Sequence, residues 1–294
     1  MTLIDANEAK SLYNKFDKTF ECSGGSAANT IAGLASLGGA GAFIGKVHND
    51  HLGKIFRHDI KSLGVTFDSI LTLDGAPTAT SMILVTPDAE RTMMTFLGAC
   101  MDLKETDVDE KLIQASEITY LEGYLWDRPS AKKAFLKACK VAHQVNKKIS
   151  LSLSDPFCVE RHRDELRKLV KVHIDILFAN EDEILSLYET SDLNAAIDHV
   201  RGNCEIAAIT RGEKGSIIIN GDEVCHIEAE PVAKLIDTTG AGDAYAAGFL
   251  YSVAKGQDLI ISGRIGSICA AEVVSHMGAR PNISLKELIG EKLS

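Results

Sequence analysis

The chain has 294 residues, 45% of them hydrophobic, and its 31 Lys and Arg against 41 Asp and Glu give a net charge of -10. That length suits one large α/β domain or two small ones, and that charge argues against nucleic acid or an anionic membrane as a main partner. Seven scattered cysteines with no C-x-x-C pair read as reduced thiols in a cytoplasmic protein, nine histidines show no zinc-ligand spacing, and no apolar run or basic-then-apolar N-terminus marks a membrane span or signal.

Taken in chain order, Met1 to Phe20 holds no convincing strand. A Gly24-Gly25 turn leads into a small-residue helix, Ser26 to Leu37, followed by a short strand, Ala42 to Val47. His51 to Leu63 is an amphipathic helix with Leu52, Ile55, Phe56, Ile60 and Leu63 on one face. Val65 to Leu73, Thr78 to Val85 and Arg91 to Phe96 are β-rich and joined by turns at Asp74-Gly75 and Pro87-Asp88, an antiparallel excursion over about residues 65–99. Strand–helix alternation then resumes. Ile118 to Leu121 precedes helix Pro129 to Val145, and Ile149 to Leu153 precedes a helix near Glu160 to Val170. Ile174 to Phe178 precedes Glu181 to Leu187, and Ile206 to Ile209 leads to hairpin strands Ser216 to Asn220 and Glu223 to Ile227. The last third is mostly helical. Such repeated units imply a mainly parallel sheet covered on both faces, with ligands at the carboxyl ends of its strands.

Asp237-Thr238-Thr239-Gly240-Ala241-Gly242-Asp243 is a glycine-rich turn running into the apolar helix Ala244 to Lys255. Helix starts carry unpaired N–H groups and partial positive charge, so Gly240, Ala241 and Gly242 can hold an anion. A carboxylate at Asp243 would repel that anion. It suits a base that takes a proton from an attacking hydroxyl; the plain alternative is an acidic residue capping a helix. No G-x-x-x-x-G-K-[ST] occurs, and Gly38-Gly39-Ala40-Gly41 lacks the third glycine of a dinucleotide fingerprint.

Four stretches resemble the PfkB or ribokinase-like carbohydrate and nucleoside kinases, in that family's order and over nearly the whole chain. Asp237 to Asp243 is similar to its Asp-Thr-x-Gly-Ala-Gly-Asp signature. Gly24 to Asn29, continuing through Ala32, Ala35, Leu37 and Gly38, is similar to its N-terminal signature. Asn180-Glu181-Asp182-Glu183 resembles Asn-x-x-Glu, and Thr210 to Gly215 resembles Thr-x-Gly-x-x-Gly. The resemblance implies one ribokinase-like α/β kinase domain over residues 1–294 with a β-rich lid, ATP and Mg2+ as cofactors, and a small-molecule acceptor. Relatives occur as monomers and homodimers, and both remain open.

It also implies roles. Asp243 would be the base, and Gly24, Gly25 and Asn29 would hold sugar hydroxyls; the alternative for the last three is a tight turn packing a helix. Asn180 and Glu183 would place magnesium and phosphate, although the pair also matches a capping box. Thr210, Gly212 and Gly215 would follow the nucleotide, or simply form a hairpin-entry turn. Arg91 would reach the transferring phosphoryl group from the lid, or be a solvated strand residue. Asp237 and Thr239, with Ser275 to Pro281, would shape a site for a monovalent cation such as K+.

Ser152-Leu153-Ser154-Asp155-Pro156-Phe157 is similar to an adenosine kinase stretch whose Phe faces the purine. Phe157, with Tyr124 and Trp126 as a further wall, would then pack a base; core packing is the alternative for Phe157. Ser26 replaces the Lys of sugar-kinase relatives. The resulting expectation is phosphorylation of the 5′-hydroxyl of adenosine, with ribokinase or fructokinase activity second and a non-catalytic nucleoside or nucleotide sensor third. The family's usual first strand, with its Gly-Asn-like turn and diol-gripping Asp, has no match here, since Asp5 and Asp17 lack its context. A shortened chain that is weak or inactive is therefore a further expectation.

Overall fold

Two sheets organise the chain. The structure is a computed structural model and describes residues 1–16 and 19–293, so Asp17 lies outside the described residues. In chain order the elements are β1 (Thr2–Leu3), α1 (Ala6–Tyr13), α2 (Ser26–Ser36), α3 (His51–Ser62), β2 (Thr80–Val85), β3 (Arg91–Phe96), α4 (Glu110–Ala115), β4 (Ile118–Glu122), α5 (Pro129–Gln144) and β5 (Lys148–Ser152). There follow α6 (Pro156–His173), β6 (Ile176–Asn180), α7 (Glu181–Tyr188), α8 (Leu193–Val200), β7 (Ile206–Thr210), β8 (Ser216–Asn220), β9 (Glu223–Ile227), α9 (Ala241–Ala254), α10 (Leu259–Val273) and α11 (Leu285–Lys292).

The larger sheet has six strands in the order β4-β5-β6-β7-β8-β9. The first four are parallel, β8 runs antiparallel to β7, and β9 runs antiparallel to β8. Strand residues alternate between two cores because successive side chains point to opposite faces. Leu177, Ala179, Ala207 and Ile209 join the core under α5 to α8, whereas Ile176, Phe178, Ile206 and Ala208 pack with Tyr245, Phe249 and Leu250 of α9. The expected mainly parallel sheet with helices on both faces is present.

The smaller sheet is β1-β3-β2. β2 and β3 pair antiparallel from Thr80 opposite Phe96 to Val85 opposite Arg91, and β1 adds to β3 in parallel. This is the β-rich excursion, shorter than expected because Val65 to Leu73 is not a strand. That stretch meets the expected strand Ala42 to Val47 at one bridge, Ala42 with Thr66, and the next residue at another, His48 with Thr72. Glycines at 41 and 45 weaken an extended run, and the two backbones hydrogen-bond to each other only near their ends, with Gly45 N reaching the Ser69 hydroxyl between them. The N-terminal segment also differs from expectation. It supplies β1 and a helix, α1, started by a capping box in which Asp5 accepts from Glu8 N at 2.9 Å and Glu8 accepts from Asp5 N at 3.0 Å. Among the described residues no helix is long and apolar enough to cross a membrane.

Candidate active site

Between the carboxyl ends of the parallel strands, the N-termini of α2 and α9, and the small sheet lies a cavity of about 2520 Å³. A drug-sized pocket is about 300 to 1,000 Å³, so this space admits two ligands side by side.

Asp243 stands in the first turn of α9. The helix is started by Gly240 at φ +81°, where a Cβ would lie 2.6 Å from the Ala279 carbonyl oxygen. Only glycine allows that left-handed turn and that approach. Both carboxylate oxygens of Asp243 are engaged from α2. Ser26 Oγ donates to Oδ1 at 2.7 Å and Asn29 Nδ2 donates to Oδ2 at 3.0 Å. Burial pushes the Asp243 carboxyl above its ordinary value, and those two donors with the Arg91 charge partly offset the rise. The Ala241 N–H is partly used inside the turn, at 3.3 Å from Thr238 O, while Gly242 is exposed.

The loop before Asp243 is tied down. Asp237, 3% exposed, accepts from Thr239 N at 2.9 Å and from Gly278 N at 3.0 Å. The stretches Asp237 to Thr239 and Ser275 to Pro281 are thereby joined, and the buried Thr239 Oγ1 has no hydrogen-bond partner. The lid reaches the same loop, with Arg91 Nη1 donating to Thr238 Oγ1 at 2.5 Å and Thr238 Oγ1 donating to Ala89 O at 3.2 Å.

Asn180 and Glu183 do form the capping box of α7. Glu183 Oε2 accepts from Asn180 N and Oε1 from Asn180 Nδ2, both at 2.9 Å. Glu183 nevertheless lines the cavity, and burial raises its carboxyl to about 7. Gly24, Gly25, Asn29, Arg91, Tyr124, Asn180, Thr210, Gly212 and Thr239 line the same cavity. Gly215 does not: its φ is +78° and a Cβ there would sit 1.9 Å from Ile227 O, so it shapes the entry to β8.

Two of the expected aromatic residues lie outside the cavity lining. Phe157 does not line the cavity. It is the second residue of α6, because Asp155 caps that helix and Pro156 opens it, and its ring is 44% exposed beneath the Arg161 guanidinium, 3.9 Å from the centroid. Trp126 packs in the opposite core against Phe135, with its Nε1 donating to Glu165 at 2.9 Å. The cavity wall is formed instead by Tyr124, whose hydroxyl donates to Ser154 O at 2.9 Å, and by Tyr120 and Phe178 with ring centroids 6.2 Å apart.

The model of the pfkB family of carbohydrate kinases matches residues 3–286. The chain belongs to this family. It is a ribokinase-like phosphotransferase with an alcohol acceptor. It is similar to the crystal structure of adenosine kinase from Sinorhizobium meliloti, with TM-score 0.97 and 44% identity covering 100% of this chain and 90% of that one. A "probable sugar kinase protein" from Rhizobium etli CFN 42 has the same TM-score and identity, covering 99% and 89%. An uncharacterized sugar kinase of Archaeoglobus fulgidus is 30% identical over 256 residues, 85% of this chain and 98% of its own length.

In this pfkB kinase the sequence reading missed Glu122 and Tyr120. Both point from β4 away from Leu121, which lies in the core beneath, and both line the cavity. A carboxylate closing the apolar run Ile-Thr-Tyr-Leu was the available signal. Glu122 Oε2 accepts from Ala27 N at 2.7 Å, and burial raises its carboxyl to about 7. Arg280 is a third omission; its Nε donates to Asn29 Oδ1 at 3.3 Å, turning the amide nitrogen of Asn29 towards Asp243.

Proposed function

We propose that this kinase moves the γ-phosphoryl group of ATP to a nucleoside hydroxyl, the 5′-hydroxyl of adenosine being the favoured acceptor. The observation that carries the reading is Asp243, a half-buried carboxylate at a helix start, held through both oxygens and facing the shared cavity. The acceptor hydroxyl would take the place of the Ser26 hydroxyl on Oδ1. As its oxygen bonds to phosphorus, its proton passes to Asp243 and ADP leaves. Gly240, Ala241 and Gly242 present the positive end of α9 to the charge on the phosphoryl oxygens, and Arg91 leaves Thr238 to meet the same charge. The small sheet of β1, β2 and β3 acts as the lid that excludes water.

Magnesium would supply charge neutralisation between the phosphates. Among the described residues no group of three or more His, Cys, Asp or Glu could hold a metal. A metal that keeps its waters and binds phosphate oxygens needs one or two carboxylates, and Glu183 fits that requirement through water, since both its oxygens are taken by Asn180. A monovalent cation such as K+ would sit where Asp237 to Thr239 meets Ser275 to Pro281, beside the unpartnered Thr239 hydroxyl.

The aromatic wall of Tyr120, Tyr124 and Phe178 and the likeness to the Sinorhizobium meliloti protein support adenosine. A second reading, ribose or fructose, is favoured by the Glu122 carboxylate in the cavity and by Phe157 lying outside it. ADP release with each acceptor tests the choice. Turnover with adenosine at least about tenfold above ribose or fructose in kcat/KM, a gap of about 1.4 kcal/mol, supports the nucleoside reading. A preference of that size for a sugar overturns it.

A further inference from the structure

Helix α2 has no cap of its own. Its N-cap position is Gly25, at φ 99° and ψ 133°, which offers no side-chain oxygen to the first turn. A helix start leaves four N–H groups without partners, and an N-cap side chain normally accepts from the second or third of its residues. Here the Ala27 N–H donates at 2.7 Å to Glu122, a residue 95 positions away at the end of β4. That strand is fixed by pairing with β5 up to Glu122 opposite Ser152, and by Leu121 in the core. The same first turn of α2 carries Ser26 and Asn29, the two donors that hold Asp243.

We propose that Glu122 is a positioning residue for Asp243: it caps α2 from another element and so sets where Ser26 and Asn29 hold the base. This rests on the reading of Asp243 as the base. The charge on Glu122 matters as well as its shape. A carboxylate at a helix N-terminus is favoured when ionised, and burial with the neighbouring Asp243 charge opposes that ionisation, raising Glu122 to about 7. The titratable groups that face it are Asp243 of α9, Tyr120 on its own strand, Tyr124 in the turn that follows, and Cys100 beyond β3. None is a cation. Ionised Glu122 therefore caps α2 beside the Asp243 carboxylate, whose charge helps to raise Glu122, and the two titrate as a coupled pair.

The test compares Glu122→Gln, Glu122→Ala and Asp243→Asn, with ADP release measured from pH 5 to 9 (as about unit steps) and ADP affinity by calorimetry as the check of folding. Glu122→Gln keeps an oxygen for Ala27 N and removes the charge. Its acid limb of kcat/KM should move down by about one pH unit or more, with the plateau within a few fold of wild type. Glu122→Ala should lose about 10- to 100-fold in kcat while ADP binds as before, the scale of a small misplacement of a reacting group. An acid limb unmoved in Glu122→Gln overturns the inference, and so does an Ala variant that keeps kcat and raises only the acceptor KM, which would make Glu122 an acceptor contact. If Glu122→Ala does not fold, the pH limb of Glu122→Gln decides. Asp243→Asn with near wild-type turnover overturns the base reading itself, whatever Glu122 does.

Discussion

Asp237 is the strongest structural prediction in the site. Its carboxylate accepts two backbone N–H groups, Thr239 at 2.9 Å and Gly278 at 3.0 Å, from two different loops. Hydrogen bonds to a charged group contribute about 1.5 to 3 kcal/mol each, so Asp237→Ala removes about 3 to 6 kcal/mol if both donors stay dry. The Thr239 N–H is buried, while Gly278 is half-buried and can recruit water. The expected loss is therefore about 3 kcal/mol, the lower end. Asp237→Asn keeps one acceptor oxygen and should lose roughly half as much. Urea unfolding at unchanged m-value measures both. The same variants should lose about tenfold or more in kcat, because the freed loop carries the start of α9 and its donors. A loss under about 1 kcal/mol in Asp237→Ala would refute the argument that this carboxylate joins the two loops.

Gly215→Ala should destabilise the fold by about 3 kcal/mol or more, because its Cβ would meet a backbone oxygen at 1.9 Å in a left-handed turn; a chemical melt within about 1 kcal/mol of wild type would contradict this. Phe157→Ala should leave the acceptor KM within about twofold and cost only about 1 kcal/mol of stability from the lost Arg161 contact, since the ring lies outside the cavity. Glu183 has its carboxyl raised from 4.5 to about 7 by burial. Its folded state then holds a proton that the unfolded state has released, so wild type loses stability as pH rises from about 4.5 through about 7. Relative to Glu183→Gln, the metal-free wild type should lose roughly 3 kcal/mol between pH 4.5 and 8 in urea unfolding; a constant difference across that range would show that Glu183 titrates normally.

Much of this arrangement was legible in local chemistry. The turn Asp237 to Gly242 announced a helix start, and β3, β8 and β9 begin and end where alternation and turn residues placed them. What failed was set by context. Ala42 to Val47 has the composition of a strand but forms a single bridge at Ala42, because pairing rather than propensity makes a strand. The likeness to an adenosine kinase stretch points Phe157 at a base, although Asp155 followed by Pro156 is itself a helix start and puts the ring on α6. Glu122 was overlooked because its partner, Ala27 N, is distant in sequence and is a backbone group that no side-chain motif records.

The account stands on Asp243 as the base. The direct test is ADP release with ATP, magnesium and the acceptor that turns over fastest, for wild type and Asp243→Asn, with acceptor and nucleotide binding measured on both. A loss of about 100- to 10,000-fold in kcat with both ligands still bound is the predicted result. Turnover near wild type with both ligands bound would contradict it.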